Sequence, residues 1–135
     1  MFHYNGPDCT ADPGGCPDGL HQYYNYAADN DWEHSNVASI EDRINSCQLR
    51  KNGINKKVFV GLNNFVSPPS QSSAKRLNAY TAANDYVDAC TEILETDINF
   101  LLADYWGQGE LPRVTQDHNA ARALQRRERK LLRIE

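Results

Sequence analysis

The sequence predicts an α/β domain, and three observations carry that prediction. Val58-Phe59-Val60-Gly61-Leu62 and Ile98-Asn99-Phe100-Leu101-Leu102-Ala103 are apolar runs of strand length without clear alternation, as parallel strands buried on both faces are. Between them, Leu77, Tyr80, Val87, Cys90 and Leu94 mark one face of a helix of roughly twenty residues, which makes a strand-helix-strand crossover. The whole order reads strand, strand, helix, strand, helix, strand, helix. Right-handed crossovers then place the helices on one side of a curving sheet of four parallel strands. That suits a partial (β/α) TIM-type barrel: a complete one takes about 250 residues, so 135 residues supply about its C-terminal half.

Residues 1–5 read as the first strand. Residues 6–20 read as loop, because Pro7, Pro13, Gly14, Gly15, Pro17 and Gly19 interrupt regular structure. Tyr23-Tyr24-Asn25-Tyr26-Ala27-Ala28 is aromatic enough for a short second strand. From Ser35 or Asn36 as a cap, Val37, Ile40, Ile44 and Cys47 recur along one helical face to near Arg50, and Asn52-Gly53 ends the helix. Ser67-Pro68-Pro69-Ser70 is a turn. A last helix runs from about Thr115 to the end, with Ala120, Ala121, Ala123, Leu124, Leu131 and Leu132 among Arg122, Arg126, Arg127, Arg129 and Lys130. Residues 1–112 are thus expected to form the half barrel and residues 113–135 a terminal basic helix.

The composition is 40% hydrophobic and 24% charged, which excludes a disordered acidic tail or a collagen. No stretch approaches the ~18 apolar residues of a spanning helix, and the first eight residues show no secretory signal. The formal net charge is −4, but residues 116–135 carry six basic and three acidic side chains, so the body is acidic and the tail basic. An acidic body argues against nucleic acid as a partner. The basic tail reads as a solvated helix face, with contact to an anionic membrane surface as the sharper alternative.

Cys9 and Cys16 flank a Gly/Pro/Asp-rich turn and read first as a local disulfide, with a metal site as the alternative; the spacing is not C-x-x-C and no second pair matches it. Cys47 and Cys90 each fall on the apolar side of a helix, as free buried thiols or as a second disulfide. The oxidising compartment suggested by the first pair favours the disulfide.

In α/β folds ligands meet the carboxyl ends of the strands, and here those ends are polar: Asn5, then Asp29-Asn30-Asp31-Trp32, then Asn63-Asn64, then Asp104-Tyr105-Trp106. Asp104 reads equally as a functional carboxylate and as a cap for the following loop. Asn63 and Asn64 are also suitable turn residues before Pro68-Pro69, and Trp32 suits simple packing. The histidines His3, His21, His34 and His118 form no metal-binding pair and default to surface or loop. There is no G-x-S-x-G, P-loop or dinucleotide fingerprint, and no cofactor or metal is expected.

Phe2-His3-Tyr4-Asn5-Gly6, Asn30-Asp31-Trp32-Glu33, Cys47, Val58 through Val66 and Asn99-Phe100-Leu101-Leu102-Ala103-Asp104-Tyr105-Trp106 resemble the later strands of the phosphatidylinositol-specific phospholipase C-like phosphodiesterases. The likeness runs from Phe2 to about Ala121 and is closest to secreted, cysteine-containing eukaryotic members. It implies a distorted barrel that cleaves a phosphodiester, such as an inositol phospholipid, with one histidine as general base and another as general acid. Those histidines and the phosphate-binding Arg belong to the family's first strands, which this chain is expected to lack, so it should be inactive alone. Asp104 matches the strand-end Asp that holds the base imidazole. Asp31 and Trp32 fall near the head-group pocket, with Asn5, Asn63, Asn64 and Tyr105 as further substrate-binding candidates. The complete protein would be secreted. The alternative is a small secreted module that binds a polyol or phosphate head group through the strand-end Asn and Asp residues.

Overall fold

The computed structural model describes residues 2–3, 21–50 and 59–132, with the side chains of 23–50 and 59–132. In chain order the elements are β1 (Phe2–His3), β2 (His21–Gln22), α1 (Tyr23–Tyr26), β3 (Ala27–Asp29), α2 (Val37–Glu41), α3 (Arg43–Ser46), β4 (Phe59–Asn63), α4 (Gln71–Leu77), α5 (Tyr80–Leu94), β5 (Phe100–Leu102) and α6 (Leu111–Leu131). The class is α/β. Strands β3, β4 and β5 lie side by side in chain order, all parallel, while β1 and β2 pair with each other in a separate parallel ladder. The four-strand sheet expected from the sequence is therefore three strands plus a pair among the described residues.

Period-two alternation sorts the sheet into two faces. Val60 and Leu62 of β4 join Ile40, Leu77, Tyr86, Val87, Cys90 and Ile98 in the main core, and Leu101 packs against the same cluster. Leu101 and Ala103 also meet Ala83, Leu111 and Val114 from α5 and α6. The helices thus cover this face. On the other face, Phe100 stacks against Phe59 and Tyr23, with ring centroids 5.7 and 6.3 Å apart. The Tyr23 hydroxyl sits directly on Gly61, where any Cβ would collide with it. Leu101 and Ala103 thus face the helices, while Phe100 and Leu102 face the Tyr23 side of the sheet. The expected double burial holds for β4, where Val60 through Asn63 are buried, but β5 is only half-buried along its length. With β4 on one side and no further strand beyond it among the described residues, β5 is an edge.

Several boundaries move for identifiable reasons. Tyr23–Tyr26 is a helical turn rather than strand, and only Ala27–Asp29 extends. A strand would send Tyr23 and Tyr24 to opposite faces, whereas the turn lets their rings meet edge to face at 5.3 Å over the same side of the sheet. The helix expected from Ser35 to Arg50 is two short ones. Asn36 caps α2 by accepting from the Ser39 amide at 3.0 Å, and Asp42 leaves helical geometry to cap α3 through the Asn45 amide at 3.4 Å. Short polar side chains compete with the helix ladder in this way. The break shifts the register, so Ile44 is 73% exposed instead of joining Ile40 and Cys47 in the core.

The long helix before β5 divides at Asn78-Ala79 into α4 and α5. Asn78 is fully buried and its side chain spans two strand ends, which a residue inside a continuous helix could not reach. The last helix starts at Leu111, a turn before Thr115, with Pro112 in its first turn where the missing N–H costs nothing. Gly109, at φ +129°, has Asn78 backbone where a Cβ would stand, and this close approach lets the Glu110 amide reach the Asn78 carbonyl at 2.9 Å.

Cys47 and Cys90 form a disulfide, Cα to Cα 5.1 Å, tying the end of α3 to α5. Both are fully buried. Cys9–Cys16 and the Asn52-Gly53 stop lie outside the described residues. Among the described residues no helix is long and apolar enough to cross a membrane.

Candidate functional site

The carboxyl ends of β3, β4 and β5 carry a buried polar layer built largely of amides. At the end of β3, Asp29 is 1% exposed and would be costly to bury as an isolated charge. Arg50 compensates it: Nη2 donates to Oδ2 at 2.9 Å and Oδ1 at 3.1 Å. Arg50 reaches this place because residues 49–50 return antiparallel along the strand end, with an Asn30–Leu49 bridge and the Arg50 amide on the Asp29 carbonyl at 2.7 Å. The same guanidinium donates to the Asn30 carbonyl and to the Tyr24 hydroxyl, each at 3.0 Å, and lies 5.8 Å from the Trp32 ring centroid.

Asn30 alternates to the helix side. Its amide nitrogen donates to the Tyr86 hydroxyl at 2.6 Å and the Ser46 carbonyl at 2.7 Å, and its oxygen accepts from the Asn63 backbone amide at 2.6 Å. Asn63 in turn donates from its side chain to the Asn30 carbonyl at 2.9 Å and to Asp29 Oδ2 at 3.4 Å. These two asparagines therefore lock β3 to β4 where the ladder ends.

A second chain of amides ties β4 to β5. The Asn64 backbone amide donates to the Leu102 carbonyl at 2.7 Å, and its side chain donates to Asn78 Oδ1 at 3.3 Å and to the Leu77 carbonyl at 3.2 Å. Asn78 then donates to the carbonyls of Asp104 at 3.0 Å and Tyr105 at 3.3 Å. Tyr105 stands in the left-handed region at φ 47°. Two acceptors at this rim, Asn64 Oδ1 and Asp104 Oδ2, are buried with no hydrogen-bond partner among the described residues. Because both Asn64 donor contacts end on oxygens, its amide orientation is fixed, and the orphaned atom is an acceptor.

Burial and the Asp29 carboxylate push the Tyr23 hydroxyl up to about 12, and burial does the same for Tyr86 against the hydrogen bonds from Asn30 and to Ser46. Burial holds His34 below the ordinary histidine value, with Asp31 acting in the opposite sense. His34 is 6% exposed, and its Nε2 has no hydrogen-bond partner among the described residues. It occupies a loop, as expected, but not the surface. His118 is half-buried on α6 with Nε2 4.0 Å from Asp88. Neither lies on a described strand end. The side chains of His3 and His21 are outside the described residues. Among the described residues no three His, Cys, Asp or Glu converge as a metal site.

Of the residues singled out from the sequence, Asn63 and Asn64 are fully buried inside the amide layer, and Asp104 joins it through its backbone. Asp31 is exposed, and its carboxylate accepts from the Glu33 amide at 3.1 Å, as a turn residue does. Trp32 and Tyr105 are exposed at the rim, and Asn5 lies outside the described residues. What sequence reasoning missed is the Asp29–Arg50 pair and the Asn30 and Asn78 hubs. The strand-end position of Asp29 was visible. Arg50 carried no signal beyond ending a helix, and Asn78 was hidden inside a helical period.

Comparison with family models, curated proteins and solved structures finds no match to this chain.

Proposed function

We propose that this chain is the C-terminal half of the barrel of a secreted phospholipase C-like phosphodiesterase, with Asp104 as the residue that positions the general-base histidine. The observation that carries this reading is Asp104 Oδ2, a buried carboxylate oxygen at the end of β5 without a partner among the described residues. A buried acceptor of this kind calls for a donor. An imidazole N–H contributed by the histidine-bearing half would satisfy it, fix the tautomer and stabilise the imidazolium as the base takes the inositol hydroxyl proton. Three parallel strands in chain order with their helices on one face, and polar residues gathered at their carboxyl ends, agree with a barrel segment.

The test is Asp104→Asn in a protein that includes the histidine-bearing half. It should lower kcat against phosphatidylinositol with KM little changed, and move the limb of the pH profile that reports the base to lower pH, since the imidazolium loses its carboxylate. An unaltered kcat and pH profile would remove Asp104 from the mechanism.

One observation favours the second reading, a secreted module that binds a polyol. Asn64 Oδ1 is orphaned as well as Asp104 Oδ2, and a pair of ligand hydroxyls could donate to both. Saturable binding of inositol by the 135-residue chain alone, lost in Asn64→Leu, would favour it over the phosphodiesterase.

A further inference from the structure

Helix α6 divides lengthwise into two unlike halves. Its first three turns seat Leu111 and Val114 in the core, while from Leu124 onward the described residues are exposed. Residues 122, 126, 129 and 130 fall on one stripe at three- and four-residue spacing. That stripe continues the buried face beyond the edge of the body. Arg122 pairs with Asp97, Nε to Oδ1 3.4 Å. Arg126, Arg129 and Lys130 line, with Asp97, an open groove of about 390 Å³, and none of the three has an ion-pair partner among the described residues. Leu124 and Leu131 stand on the opposite face, 59% and 68% exposed.

We infer that this groove binds a soluble anion carrying two or more phosphate groups. Three unpaired cations and one carboxylate, already held by Arg122, leave the groove positive on a chain whose formal net charge is −4, so a polyanion meets a localised field rather than a cationic protein. Arg126 to Lys130 spans about 6 Å along the helix at 1.5 Å per residue, and Arg122 extends the stripe to about 12 Å. That is longer than one phosphate covers. Guanidinium groups match phosphate oxygens in paired geometry. A bilayer fits less well, because an interfacial helix needs a continuous apolar face to enter the lipid. Here Arg127 and Glu128 stand between Leu124 and Leu131 on the exposed face.

The test uses inorganic tripolyphosphate titrated calorimetrically into the full chain at low salt, with phosphatidylcholine–phosphatidylserine vesicles in a parallel sedimentation assay. Saturable tripolyphosphate binding that weakens with added salt is expected. Arg126→Gln or Arg129→Gln should each weaken it about two- to fivefold, the range of an exposed ion pair, and Asp97→Asn should tighten it. Arg127→Gln removes the same charge from outside the groove and should leave the affinity nearly unchanged. Equal losses for Arg127→Gln and Arg126→Gln would reduce the effect to net charge and overturn the site. So would vesicle binding with no tripolyphosphate binding. The groove shares no residue with the strand-end layer around Asp104, so the outcome is independent of the phosphodiesterase reading.

Discussion

Arg50 holds Asp29 by both carboxylate oxygens from a single nitrogen, at 2.9 and 3.1 Å, although the two stand 21 positions apart in the chain and Asp29 is buried while Arg50 keeps partial access to water. The asymmetry of burial makes the two partners unequal. Removing Arg50 leaves a carboxylate in the interior, whereas removing the Asp29 charge leaves a guanidinium that water can reach.

Arg50→Met should therefore cost about 3–5 kcal/mol, the range for breaking a buried pair from one side. Asp29→Asn should cost clearly less. Urea denaturation of the two variants measures the difference, and equal losses would overturn the asymmetry argued from burial.

The Cys47–Cys90 disulfide closes a separation of 43 residues. Loop-closure entropy gives it about 4 kcal/mol against the reduced unfolded chain. Cys47→Ser with Cys90→Ser should lower the midpoint of thermal unfolding, and reduction of the wild type under unfolding conditions should reproduce the shift. A double variant as stable as the oxidised protein would contradict the bridge.

Burial pushes the hydroxyls of Tyr23 and Tyr86 up to about 12 in the folded protein from the ordinary 10.0. A raised folded value means that the unfolded chain loses its protons first. Stability is then fully present below pH 10 and falls as pH rises toward 12, by about 2–3 kcal/mol for each tyrosine. Stability at pH 8 and pH 11.5 measures this, and Tyr86→Phe should flatten the decline even though it weakens the fold at neutral pH by freeing the Asn30 amide.

His34 works at the other end of the scale. Burial lowers its folded value, so its contribution is present above the ordinary 6.5 and is lost as pH falls below it, when the unfolded chain takes up the proton more readily. Acid titration followed by circular dichroism should show wild type losing stability below pH 6.5 faster than His34→Gln. Parallel curves would place the acid sensitivity elsewhere.

On the proposed function, the 135-residue chain alone should not cleave phosphatidylinositol, because each acid or base group contributes about 10²–10⁴-fold and neither His34 nor His118 stands at a strand end. Turnover that disappears on substituting His3, His21, His34 or His118 would overturn that assignment.

The local chemistry of the sequence determined the α/β class, the parallel strands around Phe59–Asn63 and Phe100–Leu102, the helical crossover between them and the apolar helix faces that carry Cys47 and Cys90. Each depends on the length of an apolar run or on helical spacing, which short stretches of sequence record directly, whereas the bond between the two cysteines depends on the packing that brings them together. The tertiary structure decided the rest. Helices that the apolar period ran through were broken at Asp42 and Asn78, because those side chains cap or cross-link where a continuous helix would leave them unused. Asp29 acquired Arg50, and Asn30 acquired Tyr86 across 56 residues, since a buried polar group takes its partner from whatever the fold brings within about 3 Å. No spacing along the chain encodes that choice. The orphaned oxygen of Asp104 is likewise a property of packing: the sequence marked the residue as a strand-end carboxylate, and only the surrounding structure left its Oδ2 buried and without a donor among the described residues.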